Sequence, residues 1–352
     1  MFRGAACFAL CGLLLAGSAW SLSRPQETPP EQSFEGEIDV SLATMVIRVV
    51  DSWGQPILGL KPEDLRIRVG KREIPVVALD WVSAEDVQVV RRQQPEEDPT
   101  ELRLEPIPAP GRLVVIFVQA DLHPTRISGQ LRLRRYTREL LATLHPQDRV
   151  AVVSFDSHLK LWQDFVQDDA DAIHEAIDQA MLYSPAPEIS PRGAVSLARH
   201  FDFAAARDAA TPERALELMA RALEPLPGEK TVIFLGWGIG RFGSTGVRMI
   251  PDYKPAVRAL SAAHASVFVL DVTSADYHSL EVGLEGVAEA TGGLYFKTFR
   301  LPGLATKTLA RTISGYYVLT LDQGSLADVE GRVRVDLREK SGTVLARPVA
   351  VR

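Results

Sequence analysis

Gly238-Ile239-Gly240-Arg241-Phe242-Gly243 spells G-x-G-x-x-G just after an apolar run at residues 231–235, and Asp271 closes the next such run. In a dinucleotide enzyme such glycines let backbone approach a pyrophosphate, and the carboxylate takes a ribose hydroxyl. The motif should then open a helix at once, so that the helix N-terminus faces the phosphates. Here Ser244, Thr245, Gly246 and Pro251 intervene before any helical pattern, and Asp271 lies beyond the usual spacing. Residues 238–243 therefore read as a surface loop, with a dinucleotide-binding oxidoreductase as the distant alternative. His174-Glu175 begins like a zinc-protease helix, but Asp178 stands where the second His belongs, so a solvated acidic face is expected. The seven histidines are scattered without a paired spacing, and no G-x-S-x-G elbow occurs. No catalytic residue is expected, and the chain reads as a non-enzyme.

The elements that would carry any site are clearer. Residues 113–118 (LVVIFV) follow a Pro-Gly stop and end in Gln119-Ala120-Asp121. A short β-branched run of this kind predicts a strand buried on both faces, and residues 231–235 and 266–270 share the pattern. Helical spacings at 124–144, 168–182, 194–223, 255–263, 284–290 and 304–314 separate them. Thr211-Pro212-Glu213 marks a helix start, with Thr as cap and Pro at the first position. Residues 150–156 and 159–166 predict two strands joined by a tight turn at Ser157-His158. The sum is an α/β fold with a mostly parallel sheet, and ligands of such sheets sit beyond the carboxyl ends of the strands.

Flanking this part, residues 34–82 alternate between strand patterns and turn clusters, and residues 329–351 are again β, with a hairpin expected at 340–342. A lone hairpin is unstable in water, so the C-terminal β segment is expected to pack on the N-terminal module. The chain of 352 residues is 24% charged and 46% hydrophobic with net charge −6, ordinary globular values that give a nucleic-acid backbone no basic face to meet. Arg3, the apolar residues 5–16 and the small residues Gly17-Ser18-Ala19 predict a signal peptide cleaved near Ala19, hence export to the periplasm or cell surface. Cleavage removes Cys7 and Cys11, leaving a mature chain without thiols and without a membrane span.

Taken together, Val49-Val50-Asp51-Ser52-Trp53-Gly54-Gln55-Pro56, then Gly59-Leu60-Lys61-Pro62-Glu63-Asp64-Leu65, Asp148-Arg149-Val150-Ala151-Val152-Val153-Ser154-Phe155, Ala290-Thr291-Gly292-Gly293 and Tyr316-Tyr317-Val318-Leu319 resemble, in order, the exported von Willebrand factor A-related proteins first grouped from acidobacterial genomes. The resemblance implies a Rossmann-like A domain with one short antiparallel edge strand, for which the 150–166 hairpin is the candidate. The residue patterns and the resemblance together give an organisation: signal peptide 1–19, disordered lead-in 20–33, β-sandwich-like module 34–82, Pro-rich charged linker 83–111, A-like domain 112–315 and C-terminal β segment 316–352.

A domains often hold Mg²⁺ through Asp-x-Ser-x-Ser after the first strand, a Thr in a following loop and an Asp after the fourth strand, hard oxygen donors for a hard cation. This chain departs at each place. Gln119 ends the first strand; a shifted register, Asp121-x-His123-x-Thr125, keeps one carboxylate and one hydroxyl. The loop position falls at Gly193-Ala194-Val195 with Ser196 adjacent, and Gly236-Trp237-Gly238 replaces the second carboxylate. The expectation is a degenerate site with no metal and no cofactor, Mg²⁺ at Asp121/Thr125 being the alternative. Gln119, Asp121, His123, Thr125 and Trp237 then form a rim for a protein partner, with Trp237 either an exposed anchor or a packed wall of the loop.

Overall fold

The structure, a computed structural model, describes residues 42–83, 112–182, 184–244, 246–322, 324–326, 331–348 and 350–351. The expected signal peptide, the lead-in and residues 84–111 of the linker lie outside the described residues. Four strands open the described chain: β1 (Leu42–Val50), β2 (Leu65–Val69), β3 (Arg72–Ile74) and β4 (Val76–Ser83). β2 shows the period of a half-buried strand, Leu65, Ile67 and Val69 inward and Arg66 and Arg68 outward.

The α/β part follows as β5 (Leu113–Gln119), α1 (Pro124–Leu141), β6 (Arg149–Phe155), β7 (Leu159–Gln167), α2 (Ala170–Met181), α3 (Phe203–Arg207), α4 (Pro212–Leu223) and β8 (Lys230–Gly236). It continues through a small ribbon, β9 (Arg241–Gly243) and β10 (Gly246–Arg248), to α5 (Tyr253–Ala262), β11 (Ala265–Asp271), α6 (Glu281–Ala290), β12 (Tyr295–Lys297) and α7 (Pro302–Thr312). The main sheet runs β12-β11-β8-β5-β6-β7, parallel except for β7, which pairs antiparallel with β6. Counted within the sheet this is the doubly wound order 3-2-1-4-5-6 with an antiparallel third strand. The α/β part thus has the von Willebrand factor A type of fold, with β6–β7 as the expected edge hairpin.

β5 shows why the sheet forms. Leu113, Val115 and Phe117 enter the core under α4, α5 and α6, while Val114, Ile116 and Val118 enter the core under α1, α2 and α7. Removing such side chains from water stabilises by roughly 1.5–3 kcal/mol each, and only a doubly covered strand uses both sets. Phe117 and Phe234 meet edge to face across β5 and β8, centroids 5.1 Å apart.

The tail supplies β13 (Gly315–Asp322), β14 (Gly331–Leu337), β15 (Thr343–Ala346) and β16 (Ala350–Val351). β13 inserts between β1 and β4 in the sheet β15-β1-β13-β4, and β14 joins β2 in the sheet β16-β14-β2-β3. Ile47, Val49, Ile67, Val69, Ile74, Tyr317 and Leu319 share one core between these sheets. The module is therefore a sandwich built from both ends of the described chain.

Two expectations need correction. Residues 340–342 do not close a hairpin, because β14 pairs with β2 and β15 with β1, which sends the strands to different sheets. Residues 194–202 are not helical. The buried Asp164 carboxylate accepts the amides of Leu197 (2.6 Å) and Ala198 (3.3 Å) and the Ser196 hydroxyl (2.6 Å), drawing that stretch onto the edge strand instead.

Candidate functional site

The carboxyl ends of β5, β8, β11 and β12 face one pole of the sheet, and the loops that follow them form the candidate site. At the end of β5, Gln119 is fully buried. Its amide donates to Gly238 O (2.8 Å) and accepts from the amides of Trp237 (2.9 Å) and Gly238 (3.2 Å). Gln130 of α1 donates to the Gln119 carbonyl (2.8 Å). A carboxylate here could accept those two amides but would face the Gly238 carbonyl without a proton to offer. Gln119 therefore ties the β8 loop to the end of β5 and is not itself a contact residue of the rim.

Asp121 is spent in the same local way. One carboxylate oxygen accepts the His123 amide (2.7 Å), and the other pairs with Arg126. The Arg126 guanidinium lies over the Trp237 ring, 3.5 Å from its centroid. Trp237 is thus half-buried, a packed wall of the loop and not an exposed anchor. His123, at the N-cap of α1, shares a hydrogen bond with the Thr125 hydroxyl (2.8 Å), and both are exposed. Ser196 donates its hydroxyl to Asp164 of the edge strand β7 (2.6 Å). One carboxylate oxygen pair, already engaged, and one hydroxyl do not fit the donor set that a hard divalent cation requires.

α1 and the β11 loop are held together by a close approach. A Cβ on Gly129 would lie 1.6 Å from the Val272 carbonyl oxygen, so only glycine lets the helix sit so low. Ser274 then donates to the Thr125 carbonyl (2.9 Å) and meets Ser128 at 3.1 Å.

The sequence reading missed a second network at the end of β11. The buried Asp271 carboxylate takes His278 Nε2 (2.8 Å), the Tyr295 hydroxyl (2.5 Å) and the Thr273 amide (2.9 Å). Burial alone would raise this carboxyl; the bonds from His278 and Tyr295 outweigh that and hold it below the ordinary range. Burial, reinforced by Asp271, raises the Tyr295 phenol. Asp271, His278 and Glu281 bring ligand atoms within 4.8 Å of one another, but Glu281 is paired with Lys297 (3.2 Å) and Lys297 caps the Tyr277 ring at 3.9 Å. The network is closed on itself, and no spacing in the sequence announces it.

The loop after β8 is not irregular. Gly240, at φ +92°, turns the chain into the β9–β10 ribbon, and its amide donates to Glu213 at the start of α4 (2.8 Å). Burial raises the Glu213 carboxyl above its ordinary value. No pyrophosphate cradle remains, since the backbone proceeds into a strand and not a helix.

What the rim does present is apolar. Leu122 (65% exposed) follows β5; Phe242 (69%) and Met249 follow β8; Tyr277 (79%) follows β11; Phe299 and Leu301 follow β12. None of these was singled out in the sequence, where an apolar residue in a loop carries no signal of its exposure.

No family model and no curated protein matches the chain. Among solved structures it is similar to the PilB minor pilin from Streptococcus sanguinis, at 14% identity and TM-score 0.38 over 60% of this chain and 63% of the pilin. The chain thus spans less than two thirds of that pilin. It is also similar to a von Willebrand factor type A protein from Catenulispora acidiphila, at 11% identity and TM-score 0.40 over 89% of this chain and 73% of that one. A third likeness is the vWF domain of the pilus tip protein Mfa5 from Porphyromonas gingivalis, at 12% identity and TM-score 0.37 over 58% and 96%.

Proposed function

We propose that this chain is a non-enzymatic, exported protein-recognition module that binds a protein partner through the strand-end loops of its A-type domain without a bound cation. The observation that carries the reading is the rim itself. Exposed Leu122, Phe242, Tyr277 and Leu301 follow the carboxyl ends of four neighbouring strands. Single exposed apolar side chains need no explanation, but such a concentration beside charged groups marks an interaction surface. The Gln119 amide is engaged with the β8 loop and Asp121 with Arg126 and the His123 amide, which supports contact through side chains and not through a metal.

The test is the double variant Leu122→Glu with Tyr277→Glu, both exposed and expected to leave the melting temperature unchanged. In isolated native envelopes with EDTA present, the variant is expected to lose at least tenfold of the specific retention of the purified mature chain. Retention equal to wild type, or retention that vanishes when EDTA is added to wild type, contradicts the reading.

A further inference from the structure

The β9–β10 ribbon stands out from the rest of the rim. Its strands pair only with each other, so both outer edges keep main-chain groups that no other described strand claims. A two-stranded ribbon of this length is barely stable alone, and it is anchored at its neck by the Glu213–Gly240 bond. In register, Arg241 faces Arg248. Like charges directly opposite one another destabilise a hairpin. Neither guanidinium forms an ion pair among the described residues, although Arg241 acts through space on the buried Glu213 carboxyl. Both arginines are exposed, and the aliphatic stem of Arg248 lies against Gly243. The opposite face carries Phe242, 69% exposed, beside Val247.

From these features we infer that the ribbon is the docking element for an extended acidic segment of the protein partner, which adds to an open ribbon edge as a third strand. Its backbone satisfies the free edge, its carboxylates neutralise the Arg241–Arg248 pair, and its alternate apolar side chains cover Phe242. This rests on the proposed reading of the rim as a contact face and names the chemistry of what it meets.

The experiment uses the purified mature chain and a fluorescent eight-residue peptide of alternating Glu and Val, read by anisotropy at low and moderate salt. Expected are saturable binding that weakens with salt, at least tenfold weaker binding by Arg241→Glu with Arg248→Glu, and weaker binding by Phe242→Ala. A peptide of the same charge with Pro at alternate positions, which cannot extend a sheet, is expected to bind at least tenfold more weakly. Equal binding of the Pro peptide, full binding by the arginine double variant, or no binding overturns the inference. Binding of a heparin oligosaccharide but not the peptide also overturns it and assigns the arginines to a polyanionic glycan. Peptide failure together with loss of envelope retention by the Leu122/Tyr277 variant sinks the ribbon inference alone; the reverse pattern sinks the contact-face reading.

Discussion

At the scale of single residues, the rim is shaped by groups that serve the fold before they serve a ligand. Gln119 can donate and accept from one side chain, which a carboxylate cannot, and it uses both abilities to fix the Trp237–Gly238 backbone. Glu213 shows the opposite balance. Its carboxylate anchors Gly240, yet burial raises its pKa, so protonation is favoured more in the folded than in the unfolded state. A raised folded-state value means that this group supports the fold fully below its ordinary unfolded value, about 4.3, and that this support is lost as pH rises through the folded value. Glu213→Gln keeps the acceptor and removes the charge. It is expected to melt above wild type at pH 8, with the difference shrinking toward pH 4, as thermal unfolding across that range would show. A difference that widens toward acid would mean that the carboxylate is stabilised and not strained.

At the scale of elements, the sequence was most legible where burial is total. The unbroken run at 113–118 and its partners at 231–235 and 266–270 became adjacent strands β5, β8 and β11, because a strand covered on both faces has little use for polar residues. The Thr211 cap is also as read, its hydroxyl accepting the Arg214 amide at 3.1 Å. Legibility failed where a distant group decides local structure. Nothing within residues 194–202 foretells that Asp164 takes their amides, and nothing near 340–342 foretells that β14 and β15 enter separate sheets. For the site, the departures at Gln119 and Trp237 were visible, since a missing carboxylate is a matter of residue type. The exposure of Leu122 and Tyr277 and the closure of the Asp271–His278–Tyr295 network were not, since both arise from contacts between loops far apart in the chain.

At the scale of the whole described chain, the two poles of the main sheet have different surroundings. The strand-start pole meets the sandwich through a buried charge cluster: Arg347 forks onto Glu229 at 3.2–3.3 Å, Arg48 lies 3.6 Å from the same carboxylate, and Arg48 also reaches Ser266 at 3.3 Å. Two buried guanidiniums depend on one carboxylate, and Arg48 Nε has no partner among the described residues. Glu229→Ala leaves both cations uncompensated and is expected to destabilise by about 3–5 kcal/mol, whereas Arg48→Met, which leaves the Arg347–Glu229 fork intact, is expected to be near neutral. Urea unfolding of the two variants decides this, and equal losses would contradict it. With one pole committed to the sandwich, the strand-end pole is the one proposed for recognition, and that proposal is tested most directly by site-specific photo-crosslinking in the native envelope. A photoreactive side chain at Leu122 or Tyr277 is predicted to give one discrete protein adduct that persists in EDTA, while the same probe at exposed Leu58 or Val77 of the sandwich gives none. Adducts from the sandwich positions alone, or none from the rim, would contradict the account.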